Sequence, residues 1–119
     1  MTAFTIYSIN RALNDSKILV IDVRLKQEFN EGIIQTKNWI NIPHYEIRKN
    51  FRSPDEEFKK RFGISKPPTE ASIILYCRDG RRAQDGVLSL FELGYRNVQN
   101  YFGGVNRWIS EKRKTTRPQ

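Results

Sequence analysis

The sequence has very few of the residues that build covalent or metal-bound scaffolds. Its 119 residues include one cysteine, one histidine and one methionine. A single cysteine excludes an internal disulfide framework. One cysteine and one histidine cannot supply the roughly four ligands of a structural zinc site, so we expect no Cys/His zinc site within a single chain. No apolar run approaches the ~18–20 residues of a membrane-spanning helix, so we expect no membrane contact.

What the chain does contain is typical of one folded domain. Hydrophobic residues make up 38% and aromatic residues 12% of the chain, whereas disordered chains are poor in aromatic residues. The length also falls in the range of about 100–150 residues that one domain occupies. We predict a single domain over residues 4–110, followed by a basic, flexible tail over residues 111–119.

The net charge of +8 is unevenly distributed. Residues 1–60 hold 10 Lys+Arg and 8 Asp+Glu, a balance of +2, whereas residues 61–119 hold 11 and 5, a balance of +6. A basic half of this kind favours an anionic partner, whether nucleic acid, a lipid headgroup or a small oxyanion. The cluster of charges in the tail is more simply explained as a solvated segment. We therefore expect no nucleic-acid partner. Nothing in the sequence indicates an oligomer, so a monomer is the default expectation.

The first residues carry little targeting information. Residues 1–3 precede the first patterned segment and are too few for a presequence, and no apolar core of signal-peptide length follows them. We expect a cytoplasmic protein. A mitochondrial location stays open, because residues 1–14 contain Arg11 and no acidic residue.

Short apolar runs alternate with amphipathic segments along the chain. Strands are predicted at residues 4–6, 18–21, 39–42, 73–76 and 98–101, with helical segments between them. One helix is expected to start sharply at Ser53, with Pro54 in its first turn and Glu56 completing a capping box. The alternation predicts an α/β domain with a mainly parallel central sheet of about five short strands flanked by helices. Ligands of such sheets bind beyond the carboxyl ends of the strands.

The segment from Cys77 to Arg82 carries the most chemical information. It follows the predicted strand at residues 73–76 and precedes a helical pattern, and it reads Cys-Arg-Asp-Gly-Arg-Arg. A loop that curls around its first side chain aims backbone N–H groups at it, and the start of the next helix adds positive potential. Three arginines also favour a thiolate at Cys77, although Asp79 opposes them. A buried structural cysteine is the alternative, but it needs no such loop.

These residues resemble the C-x-x-G-x-R active loop of single-domain rhodaneses, the thiosulfate sulfurtransferases, and most closely the short eukaryotic members. Further matching segments lie in the same order along the chain. They are Asp22-Val23-Arg24 with Glu28-Phe29, Glu31-Gly32, Asn41-Ile42-Pro43, Gly94-Tyr95, and Val98, Asn100, Gly103-Gly104 and Trp108 near the end. The resemblance spans residues 4–110 and implies a rhodanese-like fold. The family's frequent serine or threonine after the loop arginine is Ala83 here.

The resemblance implies a reaction and a set of site residues. Cys77 would be the nucleophile that takes the outer sulfur of thiosulfate as a persulfide and passes it to cyanide or a cellular thiol. Substrate binding would fall to the loop residues Arg78, Asp79, Gly80, Arg81 and Arg82. Their backbone amides would stabilise the persulfide and the arginine side chains would attract the donor, with Arg82 turned inward as a brace. No metal or organic cofactor is implied.

Three other functions compete with this interpretation. Cell-cycle phosphatases share the strand–loop–helix layout, but their loop is C-x-x-x-x-x-R, and the position where they need arginine is Ala83 here. A persulfide carrier or partner-docking module without efficient turnover would keep the same cysteine. Nucleic-acid binding would depend on the tail. Asp22 and Arg24 are interpreted as a structural charge pair rather than as catalytic groups.

Overall fold

The computed structural model describes residues 8–118, and within them four strands alternate with six α-helices. The strands are β1 (Ile18–Asp22), β2 (Trp39–Asn41), β3 (Ser72–Tyr76) and β4 (Val98–Asn100). The helices are α1 (Ile9–Ala12), α2 (Lys26–Glu31), α3 (Ile47–Arg52), α4 (Asp55–Phe62), α5 (Arg81–Glu92) and α6 (Gly104–Ser110), and a 3₁₀ turn at His44–Glu46 precedes α3.

The strands form one parallel sheet in the order β2-β1-β3-β4. Ile18 pairs with Ser72 and Asp22 pairs with Tyr76, so β1 and β3 are in register along their whole length. This confirms the predicted α/β fold with a parallel central sheet. The strand predicted at residues 4–6 lies outside the described residues.

Helices cover both faces of the sheet, which explains why the central strands are apolar without alternation. All five residues of β1 are buried. Along β3, Ile73 and Leu75 belong to one core cluster, whereas Ile74 and Tyr76 belong to the other. Strands buried on both faces have to be apolar at consecutive positions. The two clusters fix β3, and with it the position of the residue that follows, Cys77.

The capping box predicted at Ser53 is wrong. Pro54 is the residue that precedes α4, without a side-chain cap, and the Ser53 hydroxyl donates to the Asn50 carbonyl oxygen at 2.6 Å. The reason is that α3, which the sequence analysis missed, ends directly before α4 and uses Ser53 at its own end. Buried Ile47 and Phe51, four residues apart, were the signal for α3.

Part of the predicted tail packs on the domain. The Trp108 indole N–H donates to the Lys114 carbonyl oxygen at 2.9 Å, and the Arg113 guanidinium lies 3.5 Å from the centre of the Trp108 ring. Thr116 pairs with Ile33 in an antiparallel bridge. The flexibility of this tail stays a prediction. Within residues 8–118, none of the helices is long and apolar enough to cross a membrane.

Candidate active site

Cys77 lies at the carboxyl end of β3, as the sequence predicted, and the strand order places it between the ends of β1 and β4. The residue is completely buried. Three loop residues separate it from α5, and the last of them, Gly80, has a φ of +113°. This left-handed conformation suits glycine because it has no Cβ, and it turns the chain tightly enough for α5 to begin beside the cysteine.

Backbone amides converge on the Cys77 sulfur from the inner side of the loop. The Gly80 N–H donates to Sγ at 3.0 Å, and the Ala83 N–H, in the first turn of α5, donates to it at 3.4 Å. Donors aimed at a sulfur atom stabilise its anionic form. The geometry therefore suits a thiolate, or the terminal sulfur of a longer group bound at the same place.

Helix α6 holds the loop from its outer side. Four consecutive loop carbonyls accept hydrogen bonds from this side. The donors are Val105 N to Cys77 O (2.9 Å), Asn106 N to Arg78 O (3.0 Å), Gly103 N to Asp79 O (3.2 Å) and Asn100 Nδ2 to Gly80 O (2.9 Å). In a planar trans peptide the N–H points opposite to the C=O. Fixing the carbonyls outward therefore directs the following amides inward.

Gly104 makes this contact possible. It has a φ of +51°, and a Cβ built on it would lie 2.0 Å from the Cys77 carbonyl oxygen. The sequence analysis treated Gly103-Gly104 only as part of a family motif, so it missed the role of this segment in holding the loop. Two adjacent glycines at the start of a helix were the sequence signal that could have indicated this close approach.

Glu28 is the second residue that the sequence analysis did not place in the site. Its carboxylate accepts two hydrogen bonds from Arg82, at 2.7 and 3.1 Å, and two from Arg78, at 3.0 and 3.3 Å. The Arg82 hydrogen bonds, followed by those of Arg78, lower the pKa of Glu28 to about 2. Arg82 is thus tied to α2, a role different from the predicted inward brace. The sequence did contain a signal for this role of Glu28, because an acidic side chain that follows β1 lies at the same sheet edge as the three arginines.

Asp79 and Arg81 face solvent at the mouth of the loop. Asp79 Oδ1 accepts a hydrogen bond from the Arg81 backbone N–H at 3.0 Å and lies 3.9 Å from Cys77 Sγ. The Arg81 backbone hydrogen bond is the main reason that the pKa of Asp79 is lowered. A carboxylate therefore stays charged beside the sulfur. With Glu28 and Asp79 opposing three arginines, the formal charge around the loop is +1.

The predicted structural pair of Asp22 and Arg24 is confirmed. The two side chains are buried and joined at 2.7 Å, and Arg24 also donates to the Gly32 carbonyl oxygen at 2.7 Å. The pair therefore fixes the end of β1 and the end of α2. This places Glu28, which lies on α2, opposite the cysteine loop.

Fold and site together define a class of α/β protein in which one cysteine, at the carboxyl end of a parallel strand, is enclosed by backbone amides. Within that class, residues 5–111 match the family described as the rhodanese-like domain. The chain belongs to this family and is similar to its thiosulfate sulfurtransferases.

Three relatives illustrate the similarity. A Schizosaccharomyces pombe protein, provisionally assigned as a mitochondrial thiosulfate sulfurtransferase, is 40% identical over 105 residues, covering 88% of this chain and 72% of the relative. The thiosulfate:glutathione sulfurtransferase of Saccharomyces cerevisiae is 31% identical over 82% of this chain and 68% of its own. The crystal structure of the S. cerevisiae single-domain sulfurtransferase RDL2 superposes with a TM-score of 0.77 at 29% identity, covering 92% of each chain.

Proposed function

We propose that the protein moves the outer sulfur of thiosulfate to cyanide or to a cellular thiol through a persulfide on Cys77. One observation carries the proposal: the buried Cys77 sulfur accepts hydrogen bonds from two backbone amides, Gly80 and Ala83, of the following loop and helix. Membership of the rhodanese-like family supports it, as do the names of the S. pombe and S. cerevisiae relatives.

The first half-reaction loads the cysteine. The Cys77 thiolate attacks the outer sulfur of thiosulfate and forms a new S–S bond. The original S–S bond of thiosulfate breaks, and its electron pair leaves on sulfite. The negative charge that remains is carried by the outer sulfur of the persulfide, where inward amides of the loop stabilise it.

The second half-reaction unloads the cysteine. Cyanide or a thiolate attacks the outer sulfur, the S–S bond of the persulfide breaks, and its electron pair returns to Cys77 as thiolate. The products are thiocyanate or the persulfide of the acceptor. Neither half-reaction needs an external oxidant, reductant or cofactor, because in each one the outer sulfur forms one bond to the attacking nucleophile as its bond to the leaving nucleophile breaks.

The size of the loop favours sulfur over phosphate. Arg82 follows Cys77 at C-x-x-x-x-R spacing, one residue less than the phosphatase loop. The Ala83 N–H already reaches the cysteine sulfur at 3.4 Å. A loop closed this tightly fits one terminal sulfur atom better than a tetrahedral oxyanion.

The arginines divide into two kinds in this proposal. Arg81 is almost fully exposed, and Arg78 is about half exposed although it also donates to Glu28, so both are placed to attract the thiosulfate dianion. Arg82 is held by both Glu28 oxygens and keeps the start of α5 in place. We further propose that the protein acts as a monomer on small anions, without nucleic acid. The S. pombe relative's name describes a mitochondrial protein; a cytoplasmic location stays our prediction for this chain.

Intact-mass spectrometry tests the reaction. Purified protein is incubated with thiosulfate and weighed beside a Cys77→Ser variant. We expect a mass gain of one sulfur atom in the wild type only, reversed by cyanide with release of thiocyanate. Repeated turnover with cyanide distinguishes an enzyme from a carrier that is loaded once. A wild type that gains no sulfur would contradict the proposal.

A further inference from the structure

Three of the six large apolar side chains that are exposed within residues 8–118 follow the strands of the sheet at its carboxyl edge. Leu25 follows β1, Tyr45 follows β2 and Phe102 follows β4, and they are 43%, 65% and 64% exposed. We call these three residues the apolar rim. A single exposed apolar side chain needs no explanation, but a group of them beside a reactive centre indicates a binding surface.

The apolar rim flanks the cysteine loop on both sides. Because the strand order is β2-β1-β3-β4, Leu25 lies on one side of the Cys77 loop and Phe102 on the other. Phe102 Cδ1 is 3.6 Å from the position that a Cβ would take on Gly80. The Leu25 N–H donates to Glu28 Oε1, which also accepts from Arg82.

The rim is too long for the small substrates of the proposed reaction. Adjacent strands lie about 4.8 Å apart, so the three steps from β2 to β4 span about 14 Å. Thiosulfate and cyanide are far smaller, and neither has an apolar surface to bury. An extended peptide advances about 3.3 Å per residue, so four or five residues match this span.

Positive charge lies between the two halves of the rim. The side chains of Arg78 and Arg81 are 55% and 91% exposed. Arg78 pairs with Glu28 and Arg81 with Asp79, and together with Arg82 the three arginines leave a net formal charge of +1. Both are on the cysteine loop, between the ends of β1 and β4. Apolar side chains on either side of exposed arginines are complementary to a segment that combines apolar and acidic residues.

We propose that the apolar rim docks a protein segment that carries the acceptor thiol between apolar and acidic side chains. The inference rests on the proposed function and names the class of its acceptor. The docked thiolate attacks the outer sulfur of the Cys77 persulfide. The S–S bond breaks, its electron pair stays on Cys77, and the acceptor leaves as a persulfide.

Sulfur transfer from pre-loaded protein to synthetic peptides tests the proposal. Wild type is loaded with thiosulfate, freed of excess donor, and its loading is verified by mass. Three five-residue peptides are then compared, each with a central cysteine: one with flanking leucine and phenylalanine and terminal aspartates, one with serines in place of the apolar pair, and one with lysines in place of the aspartates. We expect transfer to the first peptide to be at least tenfold faster than to either of the others.

Variants of the rim show whether the preference arises there. Phe102→Ser should lower the transfer rate to the first peptide at least fivefold and leave the rate to cyanide unchanged. The matched control is Leu88→Ser, which removes a half-exposed apolar side chain from α5, and it should change neither rate. Leu25→Ser provides a second rim variant if Phe102→Ser does not fold.

Two outcomes would overturn the proposal. Equal rates with the three peptides, or equal effects of the Phe102 and Leu88 variants, would show that the rim does not select the acceptor, while the proposed function stands. Wild type that thiosulfate fails to load would overturn the proposed function, and the docking proposal with it. The mass measured before any peptide is added separates the two failures.

Discussion

A single carboxylate, that of Glu28, holds two arginines of the cysteine loop. Its pKa is lowered to about 2 because it accepts hydrogen bonds from Arg82 and Arg78. A carboxylate whose pKa is lower in the folded than in the unfolded state stabilises the fold above its ordinary pKa, and this stabilisation is lost as the pH falls through the folded value. The contribution of Glu28 should therefore be complete above about pH 4.5 and vanish near pH 2.

We predict that Glu28→Gln lowers the free energy of unfolding at pH 7 by about 1–3 kcal/mol, in the range for hydrogen bonds to charged groups. The deficit relative to wild type should shrink as the pH falls from 4.5 towards 2, because the wild-type carboxyl becomes neutral. Urea denaturation at a series of pH values measures this. Glu31→Gln, on the same helix, is the control, and its difference from wild type in the free energy of unfolding should not shrink in this way as the pH falls. A deficit that persists unchanged at pH 2 would contradict the assignment.

The other acidic residue of the site, Asp79, opposes the arrival of an anionic donor. Asp79→Asn keeps the oxygen that accepts from the Arg81 N–H but removes the charge 3.9 Å from Cys77 Sγ. We predict that persulfide formation from thiosulfate becomes about three- to tenfold faster at low salt, because the Coulomb repulsion is removed. The difference should narrow at 1 M salt, where the Debye length is about 3 Å. Stopped-flow measurement of the loading step checks this, and an equal or slower rate would count against it.

At the scale of elements, the first turn of α6 is as much a part of the site as the loop itself. Gly104 allows α6 to approach so closely that its amides reach the loop carbonyls. We predict that Gly104→Ala destabilises the protein by about 2–4 kcal/mol and lowers the loading rate by at least tenfold, because the helix must move away from Cys77 O. Urea denaturation and loading kinetics measure the two effects.

Gly63→Ala is the matched control for this change. Gly63 also has a positive φ, +76°, but a Cβ there would meet no atom within 4 Å. It should therefore cost only the backbone strain of about 1 kcal/mol and leave loading unchanged. If the two variants behaved alike, backbone strain at a positive φ would account for the effect of Gly104→Ala. The close contact between Gly104 and the loop would then contribute nothing to it.

The sequence predicted the elements that have strong local signals. Apolar runs such as residues 73–76 identified the buried strands, and the arginine-rich loop predicted the cysteine that the structure surrounds with backbone amides. The helix α3 was missed because most of its residues are charged or polar, which leaves Ile47 and Phe51 as its only apolar signal. Glu28 was missed as a site residue for a related reason: its arginine partners are about 50 residues away, and only the topology brings them together.

At the scale of the whole molecule, the last described residues close the structure on itself. The Ile33 N–H donates to the Thr116 carbonyl oxygen at 2.7 Å, and Lys114 O accepts from the Trp108 indole. We predict that truncation after Lys112 lowers the free energy of unfolding by about 2 kcal/mol, the sum of two or three such interactions. The Ile33 amide should also lose its protection from hydrogen exchange.

Lys114→Ala is the control for the truncation. Its backbone carbonyl, rather than its side chain, accepts from Trp108, so this variant should be as stable as wild type. If the truncated protein kept both its stability and the protection of Ile33, the segment would be as flexible as the sequence analysis predicted.

Main-chain groups enclose the Cys77 sulfur, so the groups that surround the sulfur differ from the surface side chains that would select its partners. The carbonyls of residues 77–80 face outward, amides of the loop and of α5 face the sulfur, and these groups are common to nearly all residue types. The Arg81 side chain is almost fully exposed and can vary without altering these main-chain groups, whereas the Asp79 carboxylate lies beside the sulfur. Evolution can therefore change the molecules that bind at this surface by point mutations while the main-chain enclosure of the cysteine is inherited intact, and a protein engineer can do the same.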